Sequence, residues 1–246
     1  MPPRFFVELP LESGATLALP AAAARHVQVL RLQPGAAVTV FDGAGGEWAA
    51  EVLRIGRSEV QLRLGAHDPV ERELPLAVTL ALGMPANERM DGLVEKATEL
   101  GVAAIEPLIC AHSVLRLSGE RAERKRAHWQ GIATAAAEQC GRTRLPRIGA
   151  VRSFAEALEA DTAAPRLQLV LSLHAHARPW PKCVTAATLE GVRGLRLISG
   201  PEGGLSALEE RRATEAGALP VRLGARTLRA DTAPLAALAA LAAHFA

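Results

Sequence analysis

The sequence contains no tyrosine, and aromatic residues make up only 3% of its 246 residues. Modules that read RNA bases by stacking them on aromatic platforms need such side chains, so their scarcity argues against that class of protein. Lysine is also scarce, because Lys96, Lys125 and Lys182 are the only three, and arginine supplies most of the positive charge. The formal net charge of +2 excludes a histone-like polyelectrolyte and leaves nucleic-acid binding to a local arginine patch.

Long apolar runs are missing as well. No stretch of about 18 uncharged apolar residues occurs, so the sequence predicts no transmembrane helix. The first residues, Met1–Glu8, lack the apolar segment of a secretory signal peptide. The three cysteines, Cys110, Cys140 and Cys183, form no Cys-x-x-Cys motif and cannot all pair with one another. We therefore expect reduced thiols and a cytoplasmic protein.

A metal site has little support in the sequence. His174 and His176, followed by Cys183, are the nearest approach to a ligand set. A zinc site normally needs four well-spaced ligands, so these residues are better interpreted as part of a surface loop, and we predict no metal.

Residues 1–72 are typical of a β domain. Short β-rich runs are separated by turns, and Asp42–Gly46 predicts a hairpin because glycine adopts positive φ freely. A short helix is expected over Pro20–Leu30. Closing such strands into a small β-barrel would leave no exposed edges. The polar stretch at residues 68–73 marks the expected domain boundary, so the domains are predicted at 1–72 and 73–246.

Strands alternate with helices in residues 73–246, which predicts a parallel sheet covered by helices on both faces. Capping boxes at Ser153–Glu156 and Ser206–Glu209 mark two helix starts, and Gly101 is placed where a helix would end. The other helices are predicted over Arg89–Leu100, Ser118–Cys140, Pro181–Glu190 and Pro234–Phe245.

Two glycine-bearing segments follow consecutive late strands. Gly200–Ser206 contains three glycines and a proline in its first five positions, and Leu223–Ala233 contains Gly224 between the last strand and the last helix. Parallel sheets bind ligands at the carboxyl ends of their strands, and such loops leave backbone groups free to face a ligand. Neither segment matches the dinucleotide-binding fingerprint or the P-loop.

The two segments resemble the RsmE family, the ribosomal RNA small subunit methyltransferases E of the SPOUT superfamily. The resemblance covers the whole chain. It is carried by Ser199–Gly204, by the pattern Leu223-Gly224-x-Arg226-x-Leu228-Arg229-x-Asp231-Thr232-Ala233, by Lys96–Val102, by Ala137–Arg142 with Leu145-Pro146, and by Arg4-Phe5-Phe6 with His26-Val27-x-x-Leu30-Arg31.

The resemblance implies an N-terminal PUA-like β-barrel that helps to hold RNA, and a C-terminal α/β-knot domain with a deep trefoil knot. It also implies methylation of N3 of a uridine in 16S ribosomal RNA of the small ribosomal subunit, with S-adenosyl-L-methionine as cofactor and S-adenosyl-L-homocysteine as product. Proteins of this family are homodimers. Methylation of another base or of a ribose 2′-hydroxyl, and a non-catalytic RNA-binding role in ribosome assembly, are the alternatives.

The predicted cofactor site combines backbone groups with apolar walls, which suit a flat, neutral adenine. Glycines would allow close approach to the ribose and methionine parts. The predicted cofactor-binding residues are Leu173, Ile198, Gly200, Pro201, Glu202, Gly203, Gly204, Leu223, Gly224, Leu228 and Thr232.

Uridine N3 carries a proton, so catalysis requires its removal or stabilisation of the resulting negative charge. Arg142 and Arg229 are the candidates for charge stabilisation or phosphate positioning. Glu138 and Asp231 are the candidates to orient those arginines or to accept the proton. Asp231 stands where the family usually has glutamate, which weakens its role in proton transfer, and it has an alternative role as a helix cap.

Arginine is unevenly distributed. Residues 1–72 contain seven arginines and eight acidic residues, whereas residues 116–147 have a net charge of +5. That second segment is the strongest electrostatic candidate for phosphate contact, with a solvated helix face as the alternative. The predicted RNA contacts are Arg4, Arg25, His26, Arg31, Arg116, Arg124 and Arg144. Leu235, Leu238 and Leu241 of the last helix either contribute to a dimer interface or fill the core.

Overall fold

The computed structural model describes residues 2–57, 59–86, 88–159 and 167–245. The chain forms two compact units. The first comprises Met1–Glu73 together with Thr134–Leu145, and the second comprises Leu74–Ala133 and Pro146–Ala246.

The first unit is built on a five-stranded sheet with the strand order β1-β3-β4-β5-β2. The predicted hairpin is confirmed, because β3 and β4 pair antiparallel on either side of residues 42–46. One helix, α1, packs Ala24 and Val27 into the core of this unit. The elements are β1 (Arg4–Phe6), β2 (Thr16–Ala18), α1 (Ala21–Val29), β3 (Ala37–Phe41), β4 (Glu47–Ile55) and β5 (Val60–Asp68).

The second unit contains the parallel sheet that the strand–helix alternation predicts. Its strand order is β11-β13-β10-β12-β6-β7-β8, with β9 also paired to β7. The elements are β6 (Ala77–Gly83), α2 (Glu88–Glu99), β7 (Ala104–Ile109), α3 (Gly119–Cys140), β8 (Arg147–Ile148), β9 (Arg152–Ser153), α4 (Phe154–Glu159), β10 (Leu167–Leu171), β11 (Arg178–Pro179), α5 (Trp180–Cys183), α6 (Ala186–Leu189), β12 (Gly194–Ser199), α7 (Ala207–Glu215), β13 (Leu219–Arg222) and α8 (Thr232–Ala242).

Both faces of this sheet are buried, each against its own core, and successive side chains of a strand enter opposite cores. In β6, Leu80 and Leu82 belong to one core and Ala81 to the other. Residues of α2, α3 and α8 pack into the first core, and residues of α4 and α7 pack into the second. In α8, Leu238 and Leu241 are buried in the core and Leu235 packs against it, so these leucines fill the core within a single chain.

The local signals at helix ends are largely confirmed. Ser153 and Ser206 both form the expected capping boxes, with Glu156 and Glu209. Gly101 follows α2 with a φ of +89°. The single helix predicted over Pro181–Glu190 is wrong, since two short helices, α5 and α6, take its place. Thr185 separates them because it is extended and uses its side chain to cap α6.

Candidate functional site

A cavity of about 680 Å³ lies in the second unit, at the carboxyl ends of β10, β12 and β13. These three strands are neighbours in the sheet, so the loops that follow them converge at one edge. We call residues 200–206 the first glycine loop and residues 223–230 the second glycine loop. Both loops line the cavity, together with residues 171–174 at the end of β10. The volume is in the range of small-molecule and cofactor sites.

The first glycine loop is folded tightly on itself, and its glycines make that possible. A Cβ added to Gly200 would lie 2.6 Å from the backbone nitrogen of Leu205, and one added to Gly203 would lie 2.7 Å from Cβ of His112. The amide of Gly204 donates to the carbonyl of Pro201 at 2.8 Å, which closes a turn. Any larger residue at position 200 would therefore displace backbone.

Side chains from neighbouring loops fix the first glycine loop in place. The Glu202 carboxylate accepts a hydrogen bond from the amide of Ala86 at 2.9 Å and lies 3.6 Å from Nη1 of Arg89. On the other side, Nδ1 of His112 donates to the carbonyl of Gly203 at 3.0 Å. The Glu202 side chain, predicted as a cofactor contact, thus has partners within the protein that position the loop.

Gly83 and Cys110 lie beneath the same loop. A Cβ on Gly83 would lie 2.4 Å from Cδ of Pro201 and 2.9 Å from Sγ of Cys110, so only glycine fits at the end of β6. Burial, reinforced by the negative charge of Glu209, raises the pKa of Cys110 to about 12. The thiol is therefore protonated at neutral pH, which excludes a thiolate nucleophile at this position. The sequence pattern did not indicate the role of Gly83, because its neighbour Pro201 is far away along the chain.

The second glycine loop shows where a ligand would fit. Gly224 lines the cavity, its φ is outside the left-handed region, and a Cβ added there would meet nothing within 4 Å. Neither backbone conformation nor contacts of the described residues therefore require glycine at this position. A ligand in the cavity would explain why this residue is a glycine, because the absence of a side chain lets the ligand approach the backbone of Gly224 closely. The residues thus fit a small organic cofactor held against backbone.

Among the described residues that line the cavity, arginines outnumber carboxylates. Glu202 and Glu210 are acidic, and both have partners, since Oε2 of Glu210 lies 3.0 Å from Nε2 of His174. The basic residues are Arg89, Arg222, Arg226 and Arg229. The wall is consequently basic on the side of the second glycine loop.

Nine of the eleven predicted cofactor-binding residues line this cavity, namely Leu173, Gly200, Pro201, Glu202, Gly203, Gly204, Leu223, Gly224 and Leu228. Ile198 does not, because its side chain is buried in the core on one face of the sheet. Thr232 is the first residue of α8 and is also outside the lining. Ser172, His174, Glu210 and Arg222 line the cavity without having been predicted. Only their positions, at strand ends or in the helix after the first glycine loop, could have identified them from the sequence.

The four predicted catalytic residues fall into two groups. Arg229 lines the cavity of the second unit, and Asp231 follows as the N-cap residue of α8, where its side chain makes no capping hydrogen bond. Arg142 and Glu138 belong to the first unit. Arg142 is only 4% exposed and forms an ion pair with Glu73. Its guanidinium is therefore buried and paired within the protein rather than free in solvent.

Glu138 is half-buried and lies beside β1, the first strand. It accepts a hydrogen bond from the amide of Phe6 at 2.9 Å and lies 3.8 Å from Nδ1 of His26. Burial raises the pKa of Glu138, although the Phe6 hydrogen bond and the neighbouring His26 and Arg4 act against that rise. These contacts give Glu138 a part in joining residues 134–145 to β1.

Arg4, predicted to bind RNA, is buried in the same unit. Its guanidinium pairs with Glu47 and donates to the carbonyl of Arg142 at 2.9 Å. Arg72 also pairs with Glu47, at 3.0 Å. Burial pushes the pKa of Glu47 upward, but the hydrogen bonds from Arg72 and Arg4 outweigh it and lower the pKa overall.

The other predicted RNA contacts are exposed, and several have partners within the protein. Arg25, His26 and Arg31 are on or just after α1. The remaining three donate to protein acceptors: Arg116 to the carbonyl of Ala111, Arg124 to Glu120 and Arg144 to Glu71.

Two further classes of site are absent from the described parts of the chain. No group of three or more His, Cys, Asp or Glu residues there could hold a metal ion; His174 and His176 stack on each other at 5.5 Å between ring centroids. None of the described helices is both long enough and apolar enough to cross a bilayer.

Comparison with known proteins agrees with this architecture. An RNA methyltransferase domain family matches residues 72–242, and an RNA methyltransferase PUA domain family matches residues 19–65. Ribosomal RNA small subunit methyltransferase E of Bacillus subtilis is 31% identical, over 97% of this chain and 95% of the relative.

Two solved structures are similar over almost their whole length. Ribosomal RNA small subunit methyltransferase E of Neisseria gonorrhoeae, bound to S-adenosyl methionine, has a TM-score of 0.89 and 35% identity, over 98% of this chain and 97% of its own. A methyltransferase of Legionella pneumophila, in complex with the same cofactor, has a TM-score of 0.90 and 32% identity, over 99% and 98% of the two chains. The chain, with its PUA-like domain and its methyltransferase domain, therefore belongs to the ribosomal RNA small subunit methyltransferase E family.

Proposed function

We propose that this protein uses S-adenosyl-L-methionine to methylate N3 of one uridine in 16S ribosomal RNA. The observation that carries the proposal is the cavity between the two glycine loops, in which Gly224 offers bare backbone to a ligand. Membership of the family supports small-subunit ribosomal RNA as the substrate, and its relatives in two solved structures hold the proposed cofactor. The choice of uridine N3 rests on the motif resemblance.

When bound, the cofactor supplies an electrophilic methyl group on a sulfonium. The protein's part is alignment, because methyl transfer needs the acceptor, the methyl carbon and the sulfur in one line. We assign the backbone of Leu223, Gly224 and Leu228 to the adenine, and the first glycine loop to the ribose and methionine parts. Leu173 provides an apolar wall.

The acceptor nitrogen requires help, since N3 of uracil is protonated at neutral pH. Loss of that proton leaves a negative charge shared with the two neighbouring carbonyl oxygens. We assign stabilisation of this charge to Arg229, which is exposed on the cavity wall. For Asp231, two residues along the chain, we propose a role in orienting Arg229 once RNA is bound, since its carboxylate does not contact that guanidinium in this structure. For Arg142 and Glu138, whose side chains already have partners in the first unit, we propose positioning of residues 134–145.

The domain boundary at residues 72 and 73, with residues 134–145 packed as part of the first unit, belongs to the proposal, as do the α/β-knot, the homodimer and the cytoplasmic location. The knot and the dimer follow from the motif resemblance. The cytoplasm is where ribosomal RNA is available, and the three cysteines are free thiols. Sedimentation of the purified protein tests the dimer, since a mass of about one chain at micromolar concentration would contradict it.

The decisive experiment identifies the methylated nucleoside. Ribosomal RNA from a strain that lacks this protein would be digested and separated against standards of 3-methyluridine, 5-methyluridine and 2′-O-methyluridine. We expect 3-methyluridine to be lost and to return with the wild-type gene, but not with a Gly224→Val variant. Loss of a different methylated nucleoside would overturn the assignment of N3. An unchanged profile would overturn the proposed activity.

A further inference from the structure

Four arginines of residues 116–147 have carboxylate partners in the structure. Arg124 pairs with Glu120 at 3.0 Å and Arg126 with Glu123 at 2.8 Å inside this segment, and Arg144 pairs with Glu71 at 2.7 Å outside it. Arg142 pairs with Glu73. An arginine already paired must exchange one anion for another when it binds phosphate, so it contributes less to attraction of RNA.

Three other arginines differ in this respect. Arg222, Arg226 and Arg229 fall within eight residues of one another, at the end of β13 and in the second glycine loop. All three are exposed. In the described parts of the chain, no carboxylate lies within 4.0 Å of any of their guanidinium nitrogens. Among the described residues, they are therefore cations that lie close together along the chain and that no carboxylate neutralises.

The location of these arginines beside the cavity indicates which ligand they bind. All three line the cavity to which we assign the cofactor, so an anion bound to them lies beside the reacting base. The two acidic residues of that wall, Glu202 and Glu210, are engaged with Arg89 and His174. A guanidinium presents a rigid fork of donors that matches a phosphate group, and the proposed substrate carries one phosphate for every nucleotide.

We propose that Arg222 and Arg226 bind the phosphates that flank the target nucleotide, and so direct its base toward the cavity. This inference rests on the proposed function and specifies how its substrate is held. N3 lies on the Watson–Crick edge of uracil, so the target must be unpaired while it is methylated, and recognition of single-stranded phosphates suits that requirement. The role is distinct from that of Arg229, which we assign to the charge on the base.

The expected effect follows from the release of counterions. Each phosphate contact to a single strand contributes about 0.7 to the slope of log affinity against log salt concentration. Loss of both contacts should reduce the slope by about 1.4. Equivalently, the fall in RNA affinity between about 50 and 200 mM salt should be about sevenfold smaller in the variant than in the wild type.

The test compares two double variants with equal loss of charge. The first is Arg222→Gln with Arg226→Gln. The control is Arg211→Gln with Arg212→Gln, which removes two exposed arginines from α7 that do not line the cavity. The measurements are binding of a single-stranded RNA that contains the target site at several salt concentrations, and calorimetric binding of S-adenosyl-L-homocysteine by each folded protein.

We expect the smaller slope in the first variant alone, with S-adenosyl-L-homocysteine still bound by both folded variants. The Arg222→Lys, Arg226→Lys pair should recover most of the slope, because lysine keeps the charge. Equal slopes for all variants, or equal loss in the control, would overturn the inference. Failure of the proposed function would look different, because the wild-type protein would then fail to methylate the RNA.

Discussion

Substitution of Gly224 by valine tests the assignment of the cavity most directly. The position is suited to this test because a Cβ there meets nothing within 4 Å and the backbone is not left-handed. Valine should therefore leave the fold intact. Replacement of a glycine by a residue compatible with its backbone stabilises a protein by about 0.4–1 kcal/mol, through the unfolded chain.

The substitution should lower cofactor affinity without destabilising the ligand-free protein. The added methyl groups would project into space that we assign to the adenine, and overpacking of a filled site costs about 1–3 kcal/mol. That range corresponds to a loss of about 5- to 150-fold in cofactor affinity. The assay is calorimetric titration with S-adenosyl-L-homocysteine, beside thermal unfolding of the ligand-free protein.

Gly92→Ala is the matched control. Gly92 is an exposed residue of α2, and a Cβ there also meets nothing within 4 Å. Alanine in the interior of a helix should raise stability by about 1 kcal/mol without any change in cofactor affinity. Wild-type affinity in a folded Gly224→Val protein would refute the placement of the cofactor against the second glycine loop.

Three further predictions concern stability of the first unit, measured by denaturant unfolding. Because the pKa of Glu138 is raised in the folded state, its stabilising contribution is present at acidic pH and is lost as the pH rises through the region above its ordinary value of 4.5. Glu138→Gln should thus be more stable than wild type at neutral pH and lose this advantage in acid; a constant difference across pH would contradict the argument. Glu47 has a lowered pKa, so its contribution is present at neutral pH and is lost as the pH falls through its folded value. Glu47→Gln should cost about 3–5 kcal/mol at neutral pH, since it leaves buried Arg4 without its partner, and the difference should shrink in acid. Arg31 has a φ of +53° just after α1, and Arg31→Gly should stabilise the protein by about 0.5–1 kcal/mol; a loss of stability would show that the side chain makes a compensating contact.

Local features were predictable because their causes are local. The capping boxes at Ser153 and Ser206 and the glycine after α2 depend on residues within one helical turn. The parallel sheet follows from the alternation of apolar strands with amphipathic helices. The convergence of the two glycine loops follows in turn, because both loops come after strands of that sheet.

Long-range contacts of charged residues were not predictable in the same way. Arginine is normally exposed, and nothing near Arg142 in the sequence indicates that its partner is Glu73, 69 residues earlier. Which arginines are paired with a carboxylate, such as Arg144 with Glu71, likewise depends on side-chain contacts. The split of the helix predicted over Pro181–Glu190 was missed because Thr185 fits both a helix and a cap.

The discontinuity of the first unit has a consequence for the order of events during synthesis. Its strands end at Asp68, yet Arg4 and Arg72 donate to the carbonyls of Arg142 and Gly141. A nascent chain that has just released residue 73 from the ribosome lacks these acceptors. The unit can reach its final hydrogen bonding only after residue 145 has emerged, by which time β6, α2, β7 and α3 are also available to fold. An N-terminal fragment that stops at the end of the sheet is accordingly an incomplete folding unit, and its expression in isolation should yield a less stable product than the intact chain.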